Sequence, residues 1–178
     1  MNGSLGYEKI VKVSNVGKRF ALKISVIFSY IALGIIILLA TLNNVNNALP
    51  IFITGALVLF GVVKLTWKYL YLEYEYSFSC GTLCVSKIYG KRTRKQIIEA
   101  DIKSLIMIAP ATQENIEKAE HLDAEERVMA VSDENAENIW IALSGDINEK
   151  RTLVFFEADE RSLGILKLGN PYAFSKKI

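Results

Sequence analysis

Between Lys23 and Lys64 the chain carries no charged residue, a run of 40 positions. A polar knot, Asn43-Asn44-Val45-Asn46-Asn47, divides the run. Before it lies Ile24–Leu42, rich in Ile, Leu and Val; after it lies Ala48–Leu70, which contains Pro50, Gly55 and Gly61. A hydrocarbon core of about 30 Å needs about 20 helical residues at 1.5 Å each. Each run reaches that length. Inside a bilayer the backbone must satisfy its own hydrogen bonds, so both runs are expected to be helices, spanning about 24–42 and 48–70. The competing reading is a pair of core helices in a soluble protein. In a chain of 178 residues, what lies outside the run is too small to enclose two all-apolar helices.

Charge is distributed unevenly. Residues 1–100 hold 12 Lys+Arg and 4 Asp+Glu, whereas residues 101–178 hold 9 and 15. The basic residues flank the apolar spans, which makes the lipid bilayer and its anionic headgroups the expected partner. Nucleic acid is not expected, because a nucleic-acid reader needs a basic face on its folded domain. Lys9, Lys12, Lys18, Arg19 and Lys23 precede the first span, and Lys64, Lys68, Lys87, Lys91, Arg92, Arg94 and Lys95 end or follow the second. The positive-inside rule then puts both termini in the cytoplasm, with the Asn-rich loop outside, as a multi-pass protein of the cell membrane. At the end of the second span, Lys64 and Lys68 share a helix face at i, i+4, and Trp67, Tyr69 and Tyr71 surround them. This is the composition of a membrane interface, in which Lys snorkels and aromatic rings sit among headgroups.

From Tyr71 the pattern changes to period two. Tyr71–Phe78 alternates between two faces as a half-buried strand does, and Cys80-Gly81-Thr82 supplies a turn into Leu83–Tyr89. Gly90-Lys91 makes a second turn. Further strands are expected at Thr93–Glu99, Asp101–Ile108, Arg127–Ser132, Asn138–Leu143 and Thr152–Glu157, with a turn at Gly145-Asp146-Ile147-Asn148. Thr112–Ala124 is polar and acidic, and reads as an exposed loop with one or two helical turns, capped by Thr112 or Asn115. Asp159–Pro171 is punctuated as a helix: acidic at its start, Lys167 in its last turn, then Gly and Pro.

The division that follows is an N-terminal cytoplasmic segment 1–22, a transmembrane helical hairpin 23–70 and a cytoplasmic β domain 71–178. Residues 71–178 contain every expected strand and are expected to fold without the spans. About seven antiparallel strands closed by a C-terminal helix is the element order of a pleckstrin-homology-like barrel, which residues 71–171 resemble. The whole chain also resembles a family of small bacterial two-span membrane proteins with such a cytoplasmic domain. Carrying that resemblance are the N-terminal Tyr7-Glu8-Lys9-Ile10-Val11, Glu73-Tyr74-Glu75-Tyr76-Ser77-Phe78, Lys87-Ile88, Lys91-Arg92-Thr93-Arg94-Lys95, Asp101-Ile102 and Ile108-Ala109-Pro110. It implies an architecture and no chemistry. The chain departs from it at Cys80-Gly81-Thr82-Leu83, where a polar hairpin tip is expected. Pleckstrin-homology domains that bind phosphoinositides usually carry their basic residues at the first hairpin, whereas the turn Ser79-Cys80-Gly81-Thr82 is uncharged.

No constellation for catalysis emerges. The chain has one His, His121, and lacks both a phosphate-binding glycine motif and a nucleophile elbow. Cys80 and Cys84 are too few for a zinc site, and a cytoplasmic location disfavours a disulfide. Glu114, Glu117, Glu120, His121, Asp123, Glu125 and Glu126 form an acidic run, the composition of a solvated face. No metal and no cofactor are expected. The dense cation cluster Lys91, Arg92, Arg94 and Lys95 lies on a hairpin turn and is the candidate lipid contact. The expected function is a non-enzymatic binding or scaffold module at the inner face of the membrane, with a protein partner or the anionic leaflet as its ligand. The alternatives are a transport or pore accessory built from homo-oligomerised hairpins with Lys64 lining a path, and a metal-dependent membrane enzyme using the acidic run.

Overall fold

The computed structural model describes residues 6–14, 18–133, 135–147 and 150–174. The chain divides into two units, one made of 14–72 with 89–91, the other of 1–13 with 73–88 and 92–178.

The first unit is helical. Helix α1 runs over Lys18–Asn43, a 3-10 turn over Val45–Asn47, helix α2 over Ala48–Trp67 and a second 3-10 turn over Lys68–Leu70. Helix α1 starts six residues before the apolar run, because Lys18, Arg19 and Lys23 are compatible with a helix and extend it. Pro50 falls in the first turn of α2, where its missing N–H has no intrahelical acceptor to lose. Both helices are long and apolar enough to cross a membrane by length and composition, and neither apolar window is buried in the protein. The helices pack closely at Gly55, where an added Cβ would stand 2.5 Å from Cγ2 of Ile37. A second link joins the hydroxyls of Tyr30 and Thr66 at 2.5 Å. Thr66 gives its own proton to the carbonyl of Val62 at 2.5 Å, which leaves Tyr30 as the donor.

The second unit is β-rich. Strands β1 (Tyr7–Lys12), β2 (Leu72–Ser79), β3 (Thr82–Tyr89) and β4 (Thr93–Asp101) form one sheet in the order β1-β2-β3-β4. Strands β5 (Leu105–Pro110), β6 (Glu126–Ala130), β7 (Ile139–Ile147) and β8 (Lys150–Glu157) form a second, in the order β5-β7-β8-β6. Helix α3 (Gln113–His121) joins β5 to β6, and α4 (Glu160–Gly169) follows β8. Of the expected turn Gly145–Asn148, Asn148 lies outside the described residues.

Three expectations are corrected. The first is the strand count: there are eight strands, and the extra one is β1, in the segment expected to stand apart from the β domain. It pairs antiparallel with β2 from Tyr7↔Phe78 to Lys12↔Glu73. Residues 71–178 therefore do not contain every strand. The second correction concerns closure, since the strands make two four-stranded sheets and, among the described residues, no closed barrel. The third concerns direction. Strand β6 runs parallel to β8, from Glu126↔Thr152 to Ala130↔Phe156. Parallel neighbours cannot be joined by a tight turn; β7 intervenes between β6 and β8, and α3 carries the chain from β5 at one edge of the sheet to β6 at the other. Thr112–Ala124 is accordingly more than an exposed loop: α3 has nine residues and packs Ile116 and Ala119 against the core. Thr112 is its cap, its hydroxyl accepting from the Asn115 N–H at 3.3 Å.

Strand β8 is buried along most of its length because both its faces are covered. Leu153 and Phe155 join Met107, Ile141 and Leu143 beneath α3. On its other face the Phe156 ring meets Tyr76 of the first sheet, centroids 6.1 Å apart. Tyr76 is fully buried; its hydroxyl donates to the Ala130 carbonyl and accepts from the Glu157 N–H at 3.3 Å. Burial pushes the Tyr76 hydroxyl well above the ordinary tyrosine range.

Strand β1 is fastened to the start of α4 as well as to β2. The Tyr7 hydroxyl donates to Asp159 at 2.5 Å, Lys9 Nζ donates to the Glu157 carbonyl at 3.2 Å, and Arg161 lies over the Tyr7 ring at 4.8 Å. Asp159 caps α4, accepting from the Ser162 N–H at 2.9 Å while the Ser162 hydroxyl accepts from the Asp159 N–H at 2.8 Å. Burial works against the charged form of Asp159, but the bonds from Tyr7 and Ser162 and the charge of Lys9 outweigh it and hold its carboxyl below the usual range.

Candidate lipid-facing site

The end of α2 and the β3–β4 turn belong to one unit and meet directly. The Gly90 N–H donates to the Tyr71 carbonyl at 2.8 Å. A Cβ on Gly90 would lie 3.0 Å from Cβ and 3.1 Å from Cα of Lys68, and Gly90 has φ +57°, so this turn takes glycine on both counts. Lys91 follows with φ 60°, a left-handed conformation uncommon for a residue with a side chain, and it is exposed.

Around this junction the aromatic residues form two ring pairs. Trp67 and Tyr71 have ring centroids 5.7 Å apart, and Tyr69 meets Tyr89 edge-on at 5.6 Å. Two ammonium groups lie on the same rings: Lys23 Nζ is 4.6 Å from the Tyr71 centroid and Lys68 Nζ is 4.9 Å from that of Tyr69. Lys64 stands apart, 5.9 Å from the Phe60 ring on its own helix. Thus Trp67, Lys68, Tyr69 and Tyr71 are brought together, and the structure adds Lys23, Tyr89 and Gly90 to them. The local pattern around Gly90 held no signal for this, because the contact joins residues about 20 positions apart through a backbone hydrogen bond.

The four cations of the candidate patch divide. Arg92 and Lys95 are exposed in the β unit. Arg94 is engaged: its Nη2 lies 3.0 Å from Oε1 of Glu75. Glu75 is only 5% exposed, and the contact is close enough for an ion pair without the alignment of a hydrogen bond. Removing Arg94 would leave a buried carboxylate without its counter-charge, so its first role is internal.

The other candidates resolve into local structure. Cys80 and Gly81, with φ 52° and 84°, form a two-residue turn between β2 and β3. Both cysteines are free, and the thiol of half-buried Cys84 is pushed up by burial and by the charge of Glu99. The acidic run is partly paired: Glu114 with Lys118 at 2.8 Å, Glu120 with Arg127, and Asp123 with Arg151 at 3.7 Å. Among the described residues, no group of three or more His, Cys, Asp and Glu side chains is placed to hold a metal ion.

The sequence model of the bacterial PH-like domain family DUF6106 matches residues 6–175. The chain belongs to this family. Comparisons with curated proteins and with solved structures give no match. The matched stretch includes both apolar helices, which fall between β1 and β2 in the chain. The uncharged Cys80-Gly81 turn is therefore the second hairpin turn. The first hairpin is β1–β2, and what joins its strands is the helical pair itself.

Proposed function

We propose that the protein is a membrane-anchored, non-enzymatic binding module at the cytoplasmic face, whose basic β3–β4 turn rests on the anionic leaflet. The supporting observation is the hydrogen bond from Gly90 to Tyr71. Tyr71 directly follows the 3-10 turn that ends the apolar helix, so a chain anchored by that helix would carry Lys91 close to the level where an aromatic belt meets headgroups. Arg92 and Lys95 continue the cationic stretch. Each cation near an anionic surface adds about 1 kcal/mol of attraction, declining over a Debye length. The sheets then offer their remaining surface to a protein partner.

Trypsin cleavage at Lys91 and Arg92 of the full chain in nanodiscs tests the contact. In discs with anionic lipid at low salt, cleavage is expected to be roughly tenfold slower than in neutral discs, and raising salt to about 0.15 M should erase most of the difference. Equal cleavage in both lipids would reject it.

Orientation has its own test. Cys80 is exposed in the β unit and is a built-in probe. A membrane-impermeant maleimide should leave Cys80 unlabelled in intact cells and label it once the membrane is opened. Asn44→Cys in a variant lacking Cys80 and Cys84 should react from outside. Labelling of Cys80 in intact cells would reverse the assignment.

A further inference from the structure

The helical unit is wholly cationic. Residues 14–72 contain Lys18, Arg19, Lys23, Lys64 and Lys68, residues 89–91 contain Lys91, and neither stretch contains an Asp or Glu. Three of these cations, from three separate stretches of chain, gather at one end of the unit. Lys23 lies against Tyr71, Lys68 against Tyr69, and Lys91 follows the glycine packed on the Lys68 backbone. Collecting like charges is costly where water is scarce. Here the approach of the Lys91 backbone to Lys68 is imposed by a close-packed glycine and by a lysine held at φ 60°, and backbone strain of that kind persists where its surroundings impose it.

We infer that Lys23, Lys68 and Lys91, walled by Trp67, Tyr69 and Tyr71, form a discrete site for the phosphodiester headgroup of one anionic phospholipid. The inference rests on the membrane-anchored reading above and narrows it, from diffuse attraction along the basic turn to a stoichiometric site. Ammonium groups serve as point-charge donors to phosphate oxygens, and the site would offer three of them to one anion. The aromatic rings supply the amphipathic wall that glycerol and the first acyl carbons need. Arg92 and Lys95 fall outside the site, and Arg94 is committed to Glu75.

Native mass spectrometry of the full chain in mild detergent tests this, with phosphatidylglycerol and phosphatidylcholine of matched acyl chains as probes. One phosphatidylglycerol should be retained under activation that strips phosphatidylcholine. The double variant Lys68→Gln/Lys91→Gln should weaken that retention about tenfold, Lys68→Arg/Lys91→Arg should restore it, and the charge-matched Lys103→Gln/Lys167→Gln should leave it unchanged. Inorganic phosphate at about 1 mM should not displace the lipid. Equal retention of the two lipids, an unaffected Gln double variant, or displacement by inorganic phosphate would each overturn the site. Those failures leave the anchored reading standing if the chain still resists alkaline extraction from membranes. Extraction as a soluble protein would overturn both.

Discussion

A chain in which Gly6–Lys12 runs through an Asn-Gly turn into Glu73–Phe174 will be soluble, β-rich and cooperative on heating, whereas residues 71–178 alone will lose most of their stability. Lys12 and Glu73 face each other across an antiparallel ladder, so a two-residue turn between them closes a hairpin of ordinary geometry. Deleting β1 removes Val11, 8% exposed, whose burial contributes about 1.5–3 kcal/mol. It strips the Tyr7 ring from Phe78, 6.1 Å away, and the Tyr7 donor from Asp159. It also opens the hydrogen-bonding edge of β2. Together these approach about 4–6 kcal/mol, against a total of about 5–15 for a domain of this kind. Circular dichroism melts of the two versions decide the matter. Equal midpoints would mean that β1 is a passive appendage.

Asn170→Ala is expected to cost about 3–4 kcal/mol, more than most single polar substitutions. Asn170 is 9% exposed and follows α4. The two protons of its Nδ2 are shared among the carbonyls of Ile102 at 3.0 Å, Lys103 at 3.2 Å and Leu105 at 2.9 Å, and its Oδ1 accepts from the Ala173 N–H at 3.1 Å. One side chain thus satisfies backbone groups of the β4–β5 corner, of the start of β5 and of the C-terminal turn. Alanine leaves them buried without partners. Denaturant titration of the full chain or of the joined β unit should show the midpoint falling with the slope unchanged. Asn170→Asp should be nearly as damaging, because a carboxylate accepts but cannot donate to those carbonyls. A loss below about 1 kcal/mol would show that water replaces the amide.

What was legible in the sequence had short range. The uncharged 40 positions required two long helices, and the Ser79–Thr82 turn with its alternating flanks required a hairpin. The acidic start and the Gly169-Asn170-Pro171 end marked α4, although Asn170 read only as a helix stop and not as the hub of a corner. Strand β1 was missed because six residues carry little periodic signal and their partner lies some 60 positions away, beyond the whole helical pair. The parallel pairing of β6 was hidden for the same reason: it depends on two strands that come later in the chain. At the candidate site, Trp67, Lys68, Tyr69 and Tyr71 were visible as a local cluster of aromatic and basic residues. The arrival of Gly90 and Lys91 beside them was not, and neither was the buried partner that withdraws Arg94 from the basic cluster.

If the protein is membrane-anchored as proposed, the ladder between β1 and β2 has a consequence for how it leaves, or fails to leave, the bilayer. One strand leads into α1 and the other continues from α2, so the β unit hangs from two covalent leashes whose ends are zipped together. A single protease cut on either leash cannot shed it, because the other still holds. Both flanks of the helical pair must also reach the same compartment before the strands can meet, so a chain that threads only one helix across the bilayer leaves β2 an open edge for quality-control machinery to find.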